Sequence, residues 1–172
     1  MPVSEFTKLY DMAFPVLFRV AWRIAGSAEA AEDLCQDAFS RLYEKDMSFP
    51  NLDEAKYWLI RVVKNVSLNY AKRKQREVRV YEKALHEDGR ESTSGEGELL
   101  KEETVRDVQE ALKKLPVKLR EVLILKEYTE FNYKEIGRIL GISEGNVKVR
   151  IFRARERLQV ILGVEYGGSY VS

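Results

Sequence analysis

The sequence is poor in the residues from which disulfide frameworks, metal sites and many catalytic groups are built. Its 172 residues include one cysteine, Cys35, and one histidine, His86. A lone cysteine excludes an internal disulfide and a cysteine-based zinc site, and a single histidine gives no metal-ligand spacing. No glycine-rich loop of the phosphate-cradling kind is present either. The expectation is therefore a chain with no catalytic constellation, no metal and no cofactor. Long apolar runs are also missing. No stretch approaches the roughly 20 apolar residues that a membrane span needs. Met1-Pro2-Val3-Ser4-Glu5 lacks the basic-then-apolar order of a signal peptide, so the expected location is the cytoplasm, without membrane insertion. Strand-like alternation of useful length is absent, which leaves an all-α class.

Net charge is the last scarcity, at +1, but it averages over segments of opposite sign. Lys56 to Arg79 holds eight basic residues and one acid, and Asn146 to Arg157 holds five and one. Arg76 to Leu100 holds four basic residues and seven acids. Two basic patches separated by an acidic spacer suit two contacts with a polyanion, although a solvated helix face has the same composition.

Apolar residues are plentiful, and their spacing is helical. Phe14, Leu17, Phe18, Ala21 and Ile24 share one face, and Ala31, Leu34, Cys35, Ala38 and Leu42 share another. Ser27 is placed to cap the second helix, and Cys35, among its apolar positions, reads as a packing residue. After the break at Met47 to Asn51, Asp53 is a candidate cap for a long helix burying Ala55, Trp58, Leu59, Val62 and Val66. The periodicity fades from Glu77 to Leu100, where His86 to Gly97 has the composition of a solvated linker. The expected organisation is thus two small helical domains, 1–76 and 101–163, a flexible acidic linker, 77–100, and a tail, 164–172. In the second domain Val105, Val108, Ala111, Leu112 and Leu115 precede the helix-stopping Pro116, and Leu119, Val122 and Leu123 follow it.

Tyr133 to Leu158 is the most specific stretch. Tyr133, Ile136, Gly137 and Leu140 form one face, Gly141-Ile142-Ser143 a turn, and Val147, Ile151, Ala154 and Leu158 a second inner face. Two short helices across a glycine-containing turn make a helix-turn-helix, with Gly137 allowing close approach and Ser143 capping the second helix. At 100° per residue its outer side carries Gly145, Asn146, Val149 and Arg153, flanked by Glu144, Lys148 and Arg150. Asn suits adenine, Arg suits guanine and Val meets a thymine methyl, whereas Arg155 and Arg157 suit phosphates.

These motifs together resemble the extracytoplasmic-function sigma factors, within the sigma-70 superfamily of bacterial RNA polymerase sigma factors. The resemblance covers roughly residues 4–75 and 101–162. Gly141 to Arg150, then Arg153-Ala154-Arg155-Glu156-Arg157-Leu158, is similar to region 4, together with Leu112, Leu115-Pro116 and Arg120-Glu121-Val122. Ala31 to Phe39 is similar to the polymerase-binding segment of region 2, and Trp58-Leu59, Asn65 and Lys72-Arg73-Lys74 to its promoter-melting end. Asn69, Gly137, Asn146 and Val149 depart from the family's usual aspartate, alanine, threonine or alanine, and serine.

The resemblance implies promoter-specific transcription initiation with core RNA polymerase, contacted at the β′ clamp coiled coil and the β flap. Glu32, Asp33, Leu34, Gln36, Asp37 and Phe39 would dock on the polymerase, Leu34 or Phe39 giving a small apolar contact. Asn51, Asn65, Asn69, Lys64, Lys72, Arg73, Lys74 and Arg76 would hold and open the −10 element. Ser143, Glu144, Gly145, Asn146, Lys148, Val149, Arg150, Arg153 and Arg155 would contact the −35 element. Other implications are an anti-sigma factor as partner, able to hold the chain at the membrane, and a place on the nucleoid in holoenzyme. Trp58 reads as core or as a stacking platform. Glu87, Asp88, Glu91, Glu96 and Glu98 read equally as linker or as a mimic of nascent RNA. The alternative function is an autonomous helix-turn-helix regulator that binds DNA without polymerase.

Overall fold

Helix-forming segments separated by capping residues set the architecture. The computed structural model describes residues 1–87 and 100–163, where it contains seven helices and no strand. These are α1 (Val3–Ala25), α2 (Ala28–Lys45), α3 (Leu52–Glu87), α4 (Leu100–Lys113), α5 (Val117–Glu127), α6 (Tyr133–Leu140) and α7 (Glu144–Leu162). The all-α expectation holds.

The first lobe is α1 to α3, each packed on the other two. The faces read from apolar spacing are the buried ones. Ala31, Leu34, Cys35, Ala38 and Leu42 of α2 all lie in the core, against Leu17 and Ile24 of α1 and Leu59 and Val63 of α3. Burying a leucine or isoleucine side chain contributes about 1.5–3 kcal/mol, so this shared interior is what holds the helices together. Ser27 caps α2 as expected, its Oγ accepting from the Ala30 N–H at 3.3 Å. The cap of α3 is different. Asn51 Oδ1 accepts the Glu54 N–H at 2.9 Å, and Asp53 falls inside the first turn, where its charge faces the positive helix end.

Lack of apolar periodicity misplaced the end of α3. The helix runs through 77–87, residues expected to begin the linker, because a stretch without a buried face can still be helical. No glycine or proline interrupts it before Gly89, and Lys74 and Glu77 pair at 3.4 Å across one turn. Val78, Val80 and Tyr81 are exposed along it. The remaining linker residues, 88–99, and the tail, 164–172, with the RNA-mimic reading of Asp88, Glu91, Glu96 and Glu98, lie outside the described residues.

In the second lobe α7 packs on α4, α5 and α6. Ala111, Leu112, Leu115, Leu123, Ala154 and Leu158 form one cluster, and α4 stops before Pro116 as the sequence requires. Asn132 and Glu135 cap α6 reciprocally: Asn132 Oδ1 accepts the Glu135 N–H at 2.8 Å, and Glu135 Oε1 accepts the Asn132 N–H at 3.1 Å.

The two lobes do not hang apart on a strap. A single apolar cluster runs from the first lobe into Val122, Ile124, Leu125, Phe131, Ile136 and Ile139 of the second. Polar groups seal its edge. Arg61 donates from Nε to the Ile139 carbonyl at 2.7 Å and from Nη2 to the Arg138 carbonyl at 3.2 Å, covering orphan carbonyls at the C-terminal end of α6. Residues on polar faces, 77 and 78 positions apart in sequence, cannot be paired by reading periodicity.

Candidate nucleic-acid and docking interfaces

The helix-turn-helix is held by a tight turn. Gly141 adopts φ +71°, and the N–H groups of Gly141 and Ile142 both donate to the Gly137 carbonyl, the latter at 2.9 Å. A Cβ on Gly137 would sit 2.6 Å from the Ile142 carbonyl oxygen and 3.5 Å from Val147 Cγ2. The glycine is therefore needed for the approach of α6 to the start of α7. Gly137→Ala should lower stability by about 2 kcal/mol and the thermal midpoint by roughly 4–8 °C, measured by circular dichroism.

Ser143 caps α7, its Oγ accepting the Asn146 N–H at 3.1 Å. Val147, Ile151, Ala154 and Leu158 are buried, as expected, and this turns the opposite side outward. Glu144, Gly145, Asn146, Lys148, Val149 and Arg153 are exposed and Arg150 is half-buried. Glu144 and Lys148 are 3.9 Å apart, a weak surface pair. Arg155, expected to meet a phosphate, instead ion-pairs with Glu127 of α5 at 2.7 Å, with a side chain only 23% exposed. Its position on α7 tilts it toward α5 rather than outward. Phe152 is a residue that the reading of the outer face missed. It is 65% exposed and lies only about 20° around the helix from Gly145, so the same 100° spacing was sufficient to find it.

The basic helix α3 splits in two. Asn65, Asn69, Lys72, Arg73, Lys74 and Arg76 are exposed. Lys64 is not, which corrects its assignment to DNA: it is 8% exposed and its Nζ meets Glu121 Oε2 of α5 at 2.8 Å. A buried lysine demands such a partner, and the partner lies 57 residues away. Asn51 is exposed, but its Oδ1 is engaged as the α3 cap. Trp58 is half-buried, with Phe49 of the preceding loop 6.1 Å from it, centroid to centroid.

On α2 the polar face is outward: Glu32, Asp33, Gln36, Asp37 and Ser40 are all exposed. Asp37 pairs with Arg41 at 3.2 Å. Leu34 and Phe39 do not belong to that face. They are 8% and 2% exposed, because the spacing that puts Asp33 and Asp37 outside puts them inside. The apolar surface beside the acids comes from α1 and the end of α2. Tyr10 accepts a hydrogen bond through its hydroxyl from Gln36 Nε2 at 3.0 Å, and its ring tilts over Phe39 at 4.7 Å. Phe6, Tyr10 and Tyr43, the last 73% exposed, border a groove of about 310 Å³ next to Gln36 and Ser40.

Cys35 is fully buried, and burial first, then the charge of Glu32, pushes its thiol up to about 12 from 9.0. Only the thiolate reacts, so at pH 8 the folded protein should label with a thiol reagent roughly a thousandfold more slowly than the same chain in guanidinium. Equal rates would contradict this placement. Among the described residues no group of three or more His, Cys, Asp or Glu side chains could hold a metal ion, and no helix is long and apolar enough to cross a membrane.

An exposed acidic face beside aromatic side chains, an exposed amide-and-lysine stretch of α3 and a helix-turn-helix with an open outer side thus stand together on the two lobes. Residues 9–77 match the family model for Sigma-70 region 2, and residues 106–158 match that for Sigma-70, region 4. The ECF RNA polymerase sigma factor SigM of Bacillus subtilis (strain 168) is 31% identical over 157 residues, covering 90% of this chain and 93% of that protein. SigW of the same strain is 29% identical, covering 91% and 88%. A co-crystal structure of the sigma factor RpoE with the anti-sigma factor NepR from Bartonella quintana is similar at TM-score 0.60 and 27% identity, covering 93% of this chain and 98% of that one. The chain belongs to the ECF sigma factors of the sigma-70 family.

Proposed function

We propose that the chain joins core RNA polymerase through the exposed α2 face, reads a −35 element with the outer side of α7, and opens a −10 element with α3. The observation that carries this reading is the outward placement of Asn146, Val149 and Arg153 on a capped helix whose other side is fully buried. These side chains supply amide, methyl and guanidinium groups to base edges in a major groove. Phe152 adds an apolar surface next to Val149, suited to thymine methyls. Asn65 and Asn69 offer amides to a base turned out of the non-template strand, and Lys72, Arg73, Lys74 and Arg76 offer charge to phosphates.

Docking on the polymerase clamp uses Glu32, Asp33, Gln36 and Asp37 against basic partner residues, with Tyr10 and Tyr43 as apolar contacts in place of Leu34 and Phe39. A β-flap contact for the second lobe, an anti-sigma partner and a cytoplasmic location complete the reading. Support for the anti-sigma partner comes from the similar RpoE chain, solved with one.

Run-off transcription on genomic fragments, with core polymerase present or absent, tests the proposal. Discrete transcripts that need both components support it. A footprint by the chain alone, with no transcript when core is added, would instead favour the autonomous regulator.

A further inference from the structure

We infer that the cleft between α3 and the start of α5 is a binding site for a nucleoside di- or triphosphate, its phosphates held at Arg120 and its base against amides of α3. The cleft has a volume of about 840 Å³, within the range of small-molecule sites and ample for a mononucleotide. The site goes beyond the initiation reading and needs neither polymerase nor DNA.

Arg120 is the observation that carries it. The residue is 8% exposed and lines the cleft, and its Nη2 donates to the Ile24 carbonyl at 3.3 Å. Its Nε is buried, and no acceptor among the described residues takes the Nε proton. An unpaired buried donor is costly, more so on a charged group, and burial by itself already works against the charge of this guanidinium. Phosphate oxygens answer both deficits, because they accept hydrogen bonds and carry the opposite charge.

The rest of the lining agrees. Lys72, Lys74 and Lys113 add cations around Arg120. Two acids also face the cleft, but each is engaged: Glu121 with Lys64 at 2.8 Å and Glu110 with Lys113 at 3.0 Å. Glu77 pairs with Lys74 at 3.4 Å, a weak contact between exposed side chains. The start of α5 contributes as well. No side chain caps it and its first turn holds no acid, while Val117 of that turn lines the cleft. An uncapped helix start offers N–H groups and a positive dipole end to an anion. Asn65, Asn69 and Gln75 present amides that can pair with a base edge, and Leu68, Leu115 and Val117 give an apolar wall for base and ribose. Bare phosphate would use the cations alone, whereas a nucleotide uses the amides and the apolar wall too.

Isothermal titration calorimetry of the full chain with ATP and GTP, in magnesium-free buffer without polymerase or DNA, tests the site. At least one of the two nucleotides should bind, pyrophosphate about 10-fold or more weakly, and adenosine not at all. Val117→Asp places a carboxylate where the phosphates lie. An acid in the first turn of a helix is favourable, so the unfolding midpoint should be kept while nucleotide affinity falls about 10- to 100-fold. Arg120→Lys keeps the charge but loses the planar Nε–H, and should weaken binding about 10-fold. If Arg120→Lys fails to fold, Val117→Asp decides alone. Full affinity in Val117→Asp would overturn the site, as would no binding of either nucleotide. Pyrophosphate binding as tightly as the nucleotides would overturn the nucleotide assignment, and so would a single-stranded oligonucleotide that binds where neither mononucleotide does. These titrations are made on the chain alone and run-off synthesis needs polymerase, so failure of one reading is distinguishable from failure of the other.

Discussion

Replacing Gln36 and Asp37 together by lysine is expected to abolish co-purification with core RNA polymerase while leaving the helical spectrum and unfolding midpoint unchanged. Both side chains are exposed, and the contacts they make within the chain are a hydrogen bond to Tyr10 and a surface pair with Arg41. Surface changes of this kind usually shift stability by no more than about 0.5 kcal/mol. Against a basic partner the effect is far larger. The substitution removes an attraction and places two cations where an acid stood, and like-charge juxtaposition costs several kcal/mol. At about 1.4 kcal/mol per decade, affinity should fall by roughly 100- to 1,000-fold. Pull-down with tagged core checks the outcome. Wild-type recovery of the doubly substituted chain would remove the docking face from α2.

Arg153→Ala should lower run-off transcription from a cognate promoter by roughly 10- to 100-fold while sparing the fold. The guanidinium is exposed on the outer side of α7, where it can pair bidentately with a guanine, and such a pair is worth about 1–3 kcal/mol of discrimination. The informative signature is a change in selectivity: the variant should tolerate a substituted base at one −35 position that the wild type rejects. Lys72→Ala should behave differently, weakening all promoters alike and reducing the salt slope of binding by about one. If Arg153→Ala also weakened all sequences equally, the residue would be a phosphate contact, and base reading would pass to Asn146, Val149 and Phe152.

What was legible in the sequence was whatever periodicity can see. A helix packed on one side announces that side, and so the inner faces of α2 and α7, the cap at Ser143 and the close approach at Gly137 were all found. The same logic fails where a helix has no buried side. Residues 77–87 are helical but bury no face, Leu85 alone among them being partly covered, and they were read as linker. It also fails for polar residues whose partners are distant in the chain. Lys64 and Arg120 look like solvent-facing cations until the second lobe is laid against the first, and then they are 8% exposed each. Burial lowers the proton affinity of the Arg120 guanidinium, a cost offset in part by the Ile24 carbonyl. Leu34 and Phe39 were misassigned because a matching family segment marks a stretch of chain without telling its outer residues from its inner ones.

The continuous course of α3 also fixes an angle. Ten of its residues, 78–87, project beyond the stretch matched as region 2, about 15 Å of rod at 1.5 Å per residue. A rod preserves rotational phase, whereas coil forgets it. One residue inserted near Arg79 would turn the point where the chain leaves this arm by about 100°, and a full turn inserted there would nearly restore the bearing while moving it outward. In a mechanism that must present two reading surfaces to one double helix, such an arm sets direction as well as reach.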